Sequence, residues 1–177
     1  MRWLFIDRIL DFKPWEHIGV LKLGTLEEYF LLERWGEPAK SPGLILLESA
    51  IQAADWLVEA SSDFSLTFSL KELYDFKSLR GLGPAEGLVW FIRVAAAEKS
   101  HLELVAQSYR CSEATDVLEG LGRLKKTFRS YSRTDESLKA PSVEVFRFSG
   151  ETVFLSGLKM RDHRRAWWRE LSGGIEP

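Results

Sequence analysis

Cysteine is nearly absent from this 177-residue chain. Cys111 alone excludes an intrachain disulfide and any cysteine-based zinc cluster, and its expected state is buried and inert. Histidine is scarce as well. His17, His101 and His163 stand far apart, and no two have the spacing of a metal-binding pair. An excess of charge is missing too: 24 basic against 26 acidic residues give a net charge of -2 and offer no electrostatic reason to bind nucleic acid. No apolar run approaches the about eighteen residues needed to span a bilayer. The nearest, within 44–60, is broken by Glu48, Gln52 and Asp55. At the N-terminus Arg2, Asp7, Arg8 and Asp11 interrupt the only apolar stretch, so a signal peptide is not expected and a cytoplasmic location is. Also lacking are Gly-X-Gly-X-X-Gly, a phosphate-cradling Gly-Lys-Ser/Thr loop and Gly-X-Ser-X-Gly. Dinucleotide, phosphate and metal chemistry are therefore not expected, and no cofactor is implied.

What is present is a hydrophobic content of 45% with seven tryptophans, enough for one soluble domain with an aromatic core or an apolar pocket. The organising stretch is Ser41 to Ala60. Ser41 is a natural N-cap, Pro42 suits the first helical position, and Leu44 to Ala60 holds no glycine or proline, which predicts a long helix over about 42–60. Glu48, Gln52, Asp55 and Glu59 recur at spacings of four, three and four, one narrow stripe on a surface otherwise largely apolar. Such a stripe is either the solvated side of an amphipathic helix or a polar line inside an enclosure, where it must meet a partner, water or a site.

The remaining pattern is strand-rich. Trp3 to Phe12 and Ile18 to Leu23 predict a hairpin broken at Lys13 to His17, and the capping box Thr25 to Glu28 predicts a short helix from Leu26 to about Glu33. Phe64 to Leu70 alternates strictly. Leu88 to Ala97 and Leu102 to Cys111 predict two more strands after a glycine-rich loop at 81–87. Asp116 to Thr127 could be helical, but Gly120 and Gly122 favour a bulged strand. Phe128 to Ala140 is polar and expected to link. Val143 to Phe148 and Thr152 to Leu155 predict two strands about a turn at Ser149-Gly150, and Asp162 to Leu171 a terminal helix. Many short strands and one long apolar helix predict an α+β fold, with an antiparallel sheet curled round that helix.

Several segments resemble the hotdog-fold 3-hydroxyacyl-acyl carrier protein dehydratases: Leu4 to Leu10 with its Asp7-Arg8 pair, Pro14 with Ile18 to Lys22, Glu28 to Phe30, and above all Pro42 to Ala54. The resemblance covers about 3–125. It implies a hotdog domain over 1–127, a C-terminal extension over 128–177 packed on that domain, and a homodimer or higher oligomer binding an acyl thioester on acyl carrier protein or coenzyme A. It also implies that Glu48 matches the helical catalytic carboxylate and Gln52 its partner one turn on. Gly43, following Pro42, would offer a backbone N–H to the thioester carbonyl. The family's loop histidine has no counterpart. Aligning Gly36 and Pro38 puts Glu33 in its place. Glu33 and Glu48 could share a proton as a carboxylate pair, one basic and one acidic. Alternatively, Glu33 is a solvated residue paired with Arg34 or a lysine, and Glu48 simply bonds Gln52. Three functions remain open: an atypical hydro-lyase of fatty acid or related acyl-chain metabolism, a thioesterase using Glu48 or Asp55 to activate water, or a catalytically inactive accessory subunit. Arg161, Arg164, Arg165 and Arg169 with Trp167 and Trp168 could dock an acidic carrier protein or a membrane surface, or could be a solvated helix packed by its tryptophans.

Overall fold

The computed structural model describes residues 4–24, 43–74, 76, 80–83, 86–112, 114–130, 143–155 and 158–177. In chain order these form β1 (Arg8–Lys13), β2 (His17–Leu23), α1 (Gly43–Ser61), β3 (Leu66–Tyr74), β4 (Gly87–Glu98), β5 (His101–Cys111), α2 (Ala114–Ser130), β6 (Val143–Phe154) and α3 (Leu158–Ser172). The strands make one sheet in the order β1-β2-β4-β5-β6-β3, and every adjacent pair is antiparallel. The sheet curls around α1.

Helices cover both faces of the sheet. Trp56, Leu57 and Ala53 of α1 pack with Trp90 and Ile92 of β4, Phe146 and Phe148 of β6 and Trp168 of α3 in the main core. On the opposite face Leu121 and Leu124 of α2 close over Val89, Phe91 and Val105. A strand enclosed on both sides needs no polar alternation, which is why β4 is fully buried from Gly87 to Ile92.

At the end of α1, Phe64 N–H reaches back to the Glu59 carbonyl and Asp63 N–H to that of Ala60. This is a Schellman cap. Its left-handed residue is Asp63, at φ 50°, with Phe64 at 59° beyond it. Asp tolerates that region better than most residues, whereas for Phe it is a strained conformation, held here by a ring buried against Trp168.

The long helix and the strands β2, β4 and β5 fall close to where the sequence places them. The strand β1 begins at Arg8, and β3 runs from Leu66 to Tyr74 rather than over 64–70, because Phe64 belongs to the cap of α1. Two further segments differ in kind. Residues 116–127 belong to helix α2, with Val117, Leu121 and Leu124 facing the sheet. Gly120 is there for contact: a Cβ at that position would lie 2.3 Å from the Tyr109 ring, while one at Gly122 would meet nothing within 4 Å. The glycines that suggested a bulged strand are thus one packing requirement and one free helical position. Residues 143–154 form a single strand, with no turn at Ser149-Gly150. A Cβ on Gly150 would lie 2.3 Å from the Ser69 carbonyl oxygen, so this glycine lets β3 approach where its register slips between Leu70 and Glu72. In addition, α3 begins at Leu158 rather than at Asp162. Within 128–177, β6 is hydrogen-bonded between β5 and β3, and Trp168 of α3 reaches the main core. The expected helix over 26–33, with its Thr25–Glu28 box, and most of the expected linker lie outside the described residues.

Two neighbouring glycine substitutions should therefore have opposite signs. Gly120→Ala should destabilise by about 1–3 kcal/mol through overpacking, and Gly122→Ala should stabilise by up to about 1 kcal/mol through helix propensity. Urea unfolding of both variants measures this directly.

Candidate functional site

The polar stripe of α1 is not a solvated face. Gln52, Asp55 and Glu59 are all buried, and only Glu48 is partly open. Buried polar groups need partners, and those found here divide the stripe into two halves.

The C-terminal half is neutralised internally. Arg164 Nε donates to Glu59 Oε2 at 2.6 Å, and the Arg164 guanidinium lies 3.9 Å from the centre of a Trp56 ring. Both members of the ion pair are buried. The Thr67 hydroxyl lies 3.0 Å from Glu59 Oε1 and 3.4 Å from Asp55 Oδ1; having one proton, it donates to one of them at a time. A carboxylate locked between an arginine, an indole face and a threonine serves the fold rather than a substrate.

The N-terminal half is arranged differently. The Phe5 N–H donates to Gln52 Oε1 at 2.9 Å, which turns the amide nitrogen toward Glu48, where Nε2 donates to Oε1 at 3.3 Å. Glu48 is thus a half-buried carboxylate, oriented by a buried amide that the N-terminal segment fixes. It lies five residues into the helix that Gly43 opens, about 7.5 Å along the axis at 1.5 Å per residue. The positive end of the helix dipole is close by, and such a place favours negative charge and polarises carbonyls. Between these residues Ser49 anchors the helix to the sheet. Its hydroxyl accepts from Trp90 Nε1 at 2.8 Å and donates to the Leu46 carbonyl at 2.7 Å.

Of the residues singled out by sequence, Gly43, Glu48 and Gln52 meet at this end of α1, and Glu33 and Pro42 lie outside the described residues. Sequence reasoning missed Ser49 and Phe5, and read Arg164 as one of a basic cluster rather than as the partner of Glu59. A buried serine in the apolar face was a signal for the first, but the other two lie 47 and 105 residues from their partners, beyond the reach of any periodicity.

The histidines are placed elsewhere. His101 and His163 are exposed, the latter ring 4.6 Å from Trp167. His17 stacks on Phe91, in the core of the sheet face opposite α1, and its Nε2 lies 2.8 Å from Asp11 Oδ2. Lys125 of α2 meets the same oxygen at 2.7 Å. Partial burial pushes the Asp11 carboxyl up, but hydrogen bonds and charge from Lys125 and His17 outweigh it and hold the group below the ordinary carboxylate value. The Cys111 thiol is pushed up by burial and by Asp116, with the Gly87 N–H opposing, which leaves it unreactive at neutral pH. Among the described residues no cluster of three or more metal-ligating side chains forms, and no helix is long and apolar enough to cross a membrane.

Two predictions follow from these pairings. Arg164→Ala should cost about 3–5 kcal/mol because it strands the Glu59 carboxylate, and the double variant Glu59→Gln with Arg164→Met should regain most of that; chemical denaturation reads both. Asp11, depressed in the folded state, stabilises above the unfolded-state value and loses that contribution as pH falls through the lower folded value. Asp11→Asn should therefore be less stable than the parent at pH 7, with the gap closing in acid, as melting curves across pH would show.

With the geometry in place, comparison with known proteins adds the following. No family model matches the chain. It is similar to the 3-hydroxyacyl-[acyl-carrier-protein] dehydratase FabZ of Halorhodospira halophila, 39% identical over 64 residues, which is 36% of this chain and 42% of that protein. The FabZ of Oleidesulfovibrio alaskensis is 34% identical over 64 residues, with the same coverage of both. The chain thus spans less than half the length of these curated relatives. Among solved structures, smu.793 from Streptococcus mutans, crystallised bound to acetyl CoA, matches with a TM-score of 0.52 at 11% identity, covering 87% of this chain and 94% of that one. An antiparallel sheet curled round a central helix, a structural match over nearly the whole chain and a dehydratase-like segment together make this a hotdog-fold protein.

Proposed function

We propose that this hotdog protein binds an acyl thioester, on acyl carrier protein or coenzyme A, and acts on it as an atypical hydro-lyase. The observation that carries this reading is the state of Glu48: half-buried, near the helix start, and oriented by the Gln52 amide that Phe5 fixes. Every other polar residue of the stripe is fully buried.

The chemistry follows from that placement. A thioester carbonyl set against the N–H groups opening α1, that of Gly43 among them, is polarised by the helix dipole, and its C2 proton becomes more acidic. A base removes that proton, electrons move into the C2–C3 bond, and the C3 hydroxyl leaves as water with a proton from a carboxylic acid. Glu48 is the donor and Glu33 the base in this scheme. In the dehydratases that the sequence resembles, the loop and helix residues come from different subunits, so a homodimer completes the site. The scheme calls on no cofactor, and its proposed setting is acyl-chain metabolism in the cytoplasm.

Thioester hydrolysis is the second reading. It is favoured by the positions of the histidines, one on the opposite sheet face and two exposed. Hydrolysis needs only one carboxylate to activate water or attack the thioester, and Glu48 suffices.

Assays of purified protein with 3-hydroxyacyl and saturated acyl thioesters separate these. Glu48→Gln should lower the dehydration kcat by about 100-fold or more, as should Glu33→Gln. Thiol release that depends on Glu48 alone would instead establish a thioesterase. Saturable thioester binding without turnover would mean an accessory subunit and overturn both catalytic readings.

A further inference from the structure

The strand β2 buries a charge that the thioester scheme does not use. Lys22 is 2% exposed. It follows Ile18 and Val20 at alternate positions and so shares with them the sheet face that α1 covers. Its level along the helix follows from two contacts. Trp15, just before β2, donates its N–H to Ser61 Oγ at the last residue of α1, and Val20 pairs with Trp90, whose Nε1 meets Ser49. β2 therefore runs from the end of α1 toward its start. Lys22 lies beyond the level of Ser49, at the end of the helix where Glu48 and Gln52 meet.

A buried ammonium needs an opposite charge. Asp7 Oδ2 faces Lys22 Nζ at 3.8 Å, and the same oxygen accepts from the Leu23 N–H at 2.7 Å. The Asp7 N–H donates to the Leu21 carbonyl at 2.9 Å. Three consecutive residues of β2 thus grip one residue, and that residue stands immediately before β1, where the N-terminal segment leaves the sheet. The segment then crosses to the helix. Ile6 is buried in the main core, and Phe5, two residues from Asp7 and hence within about 7 Å of it, gives its N–H to Gln52 Oε1. Packing of Ile6 holds the segment down, but apolar contact is non-directional and does not aim an N–H. The contacts of Asp7 are directional.

The structure assigns Asp7 as a positioning residue for Glu48. It acts through the Phe5 N–H and the Gln52 amide, and Lys22 is the buried charge that keeps it on β2. The assignment rests on the reading of Glu48 as the acid of the thioester site. A reacting group misplaced by about 1 Å can lose about 100-fold in rate, so a carboxylate held through two hydrogen bonds depends on what fixes the first of them.

The test compares two double variants of the full chain with the parent. Asp7→Ala with Lys22→Met removes the grip without stranding a buried charge. Asp7→Asn with Lys22→Met also removes both charges but keeps an oxygen that can accept from the Leu23 N–H. In the first, the Phe5 amide should exchange with solvent about tenfold or more faster while the amides of β4 exchange as in the parent, and the side-chain amide resonances of Gln52 should move. Its dehydration kcat should fall about tenfold with KM within about twofold. The second should return all three readings to within about threefold of the parent or to the parent's resonance positions. Parent-like Phe5 exchange and Gln52 resonances in the first variant, a rise in KM with kcat unchanged, or equal impairment of the two variants would each overturn the assignment. A parent protein without turnover would overturn the catalytic reading of Glu48, while the Phe5 and Gln52 measurements would still decide whether Asp7 positions the carboxylate.

Discussion

A helix that must lie inside the protein and yet carries two buried carboxylates and a buried amide imposes the condition the rest of the structure meets. Leaving any of these groups without a partner would cost more than a typical hydrogen bond contributes. Glu59 is answered by Arg164, and Gln52 by the Phe5 N–H. Both partners come from the ends of the chain, so the N-terminal segment and α3 are drawn onto α1 by polar need as much as by the aromatic packing of Phe12, Trp56 and Trp168. Glu48 is what remains when these needs are met: a carboxylate positioned by the same network but not used up by it.

The sheet solves a related problem through size. Layers packed on both faces require close approach in several places, and the chain places glycine at them, Gly120 on the sheet-facing side of α2 and Gly150 of β6 against β3 among them. Neither uses the backbone freedom of glycine. Both use its missing side chain, which lets a ring or a carbonyl oxygen occupy the space where a Cβ would stand. The register slip in β3 beside Gly150 belongs to the same accommodation.

That distinction also explains which parts of the fold were legible in the sequence. The central helix was plain because capping, length and composition agree over 19 residues. The strands β4 and β5 were plain because a two-residue turn separates two long apolar runs. α2 was misread because glycine in a helix pattern signals disruption by propensity alone, and the ring of Tyr109 that requires it is supplied by tertiary structure. β6 was split for the same reason. Of the site, Glu48, Gln52 and Gly43 were recognisable by their place in a resembling block. The stripe was visible as a stripe, but its burial was not, since Arg164 is remote in sequence and reads locally as one of a solvated basic group.

The distance between Glu59 and Arg164, 105 residues along the chain, bears on the order in which the molecule can assemble. During synthesis α1 emerges long before its counter-charge, and β3 emerges before β6, the strand that joins it to the sheet. Until residue 164 has left the ribosome, the most apolar helix of the protein carries an uncompensated charge on the side it must bury. Closure of the core is thereby postponed until α3 has been made, and a topology so dominated by distant pairings folds slowly.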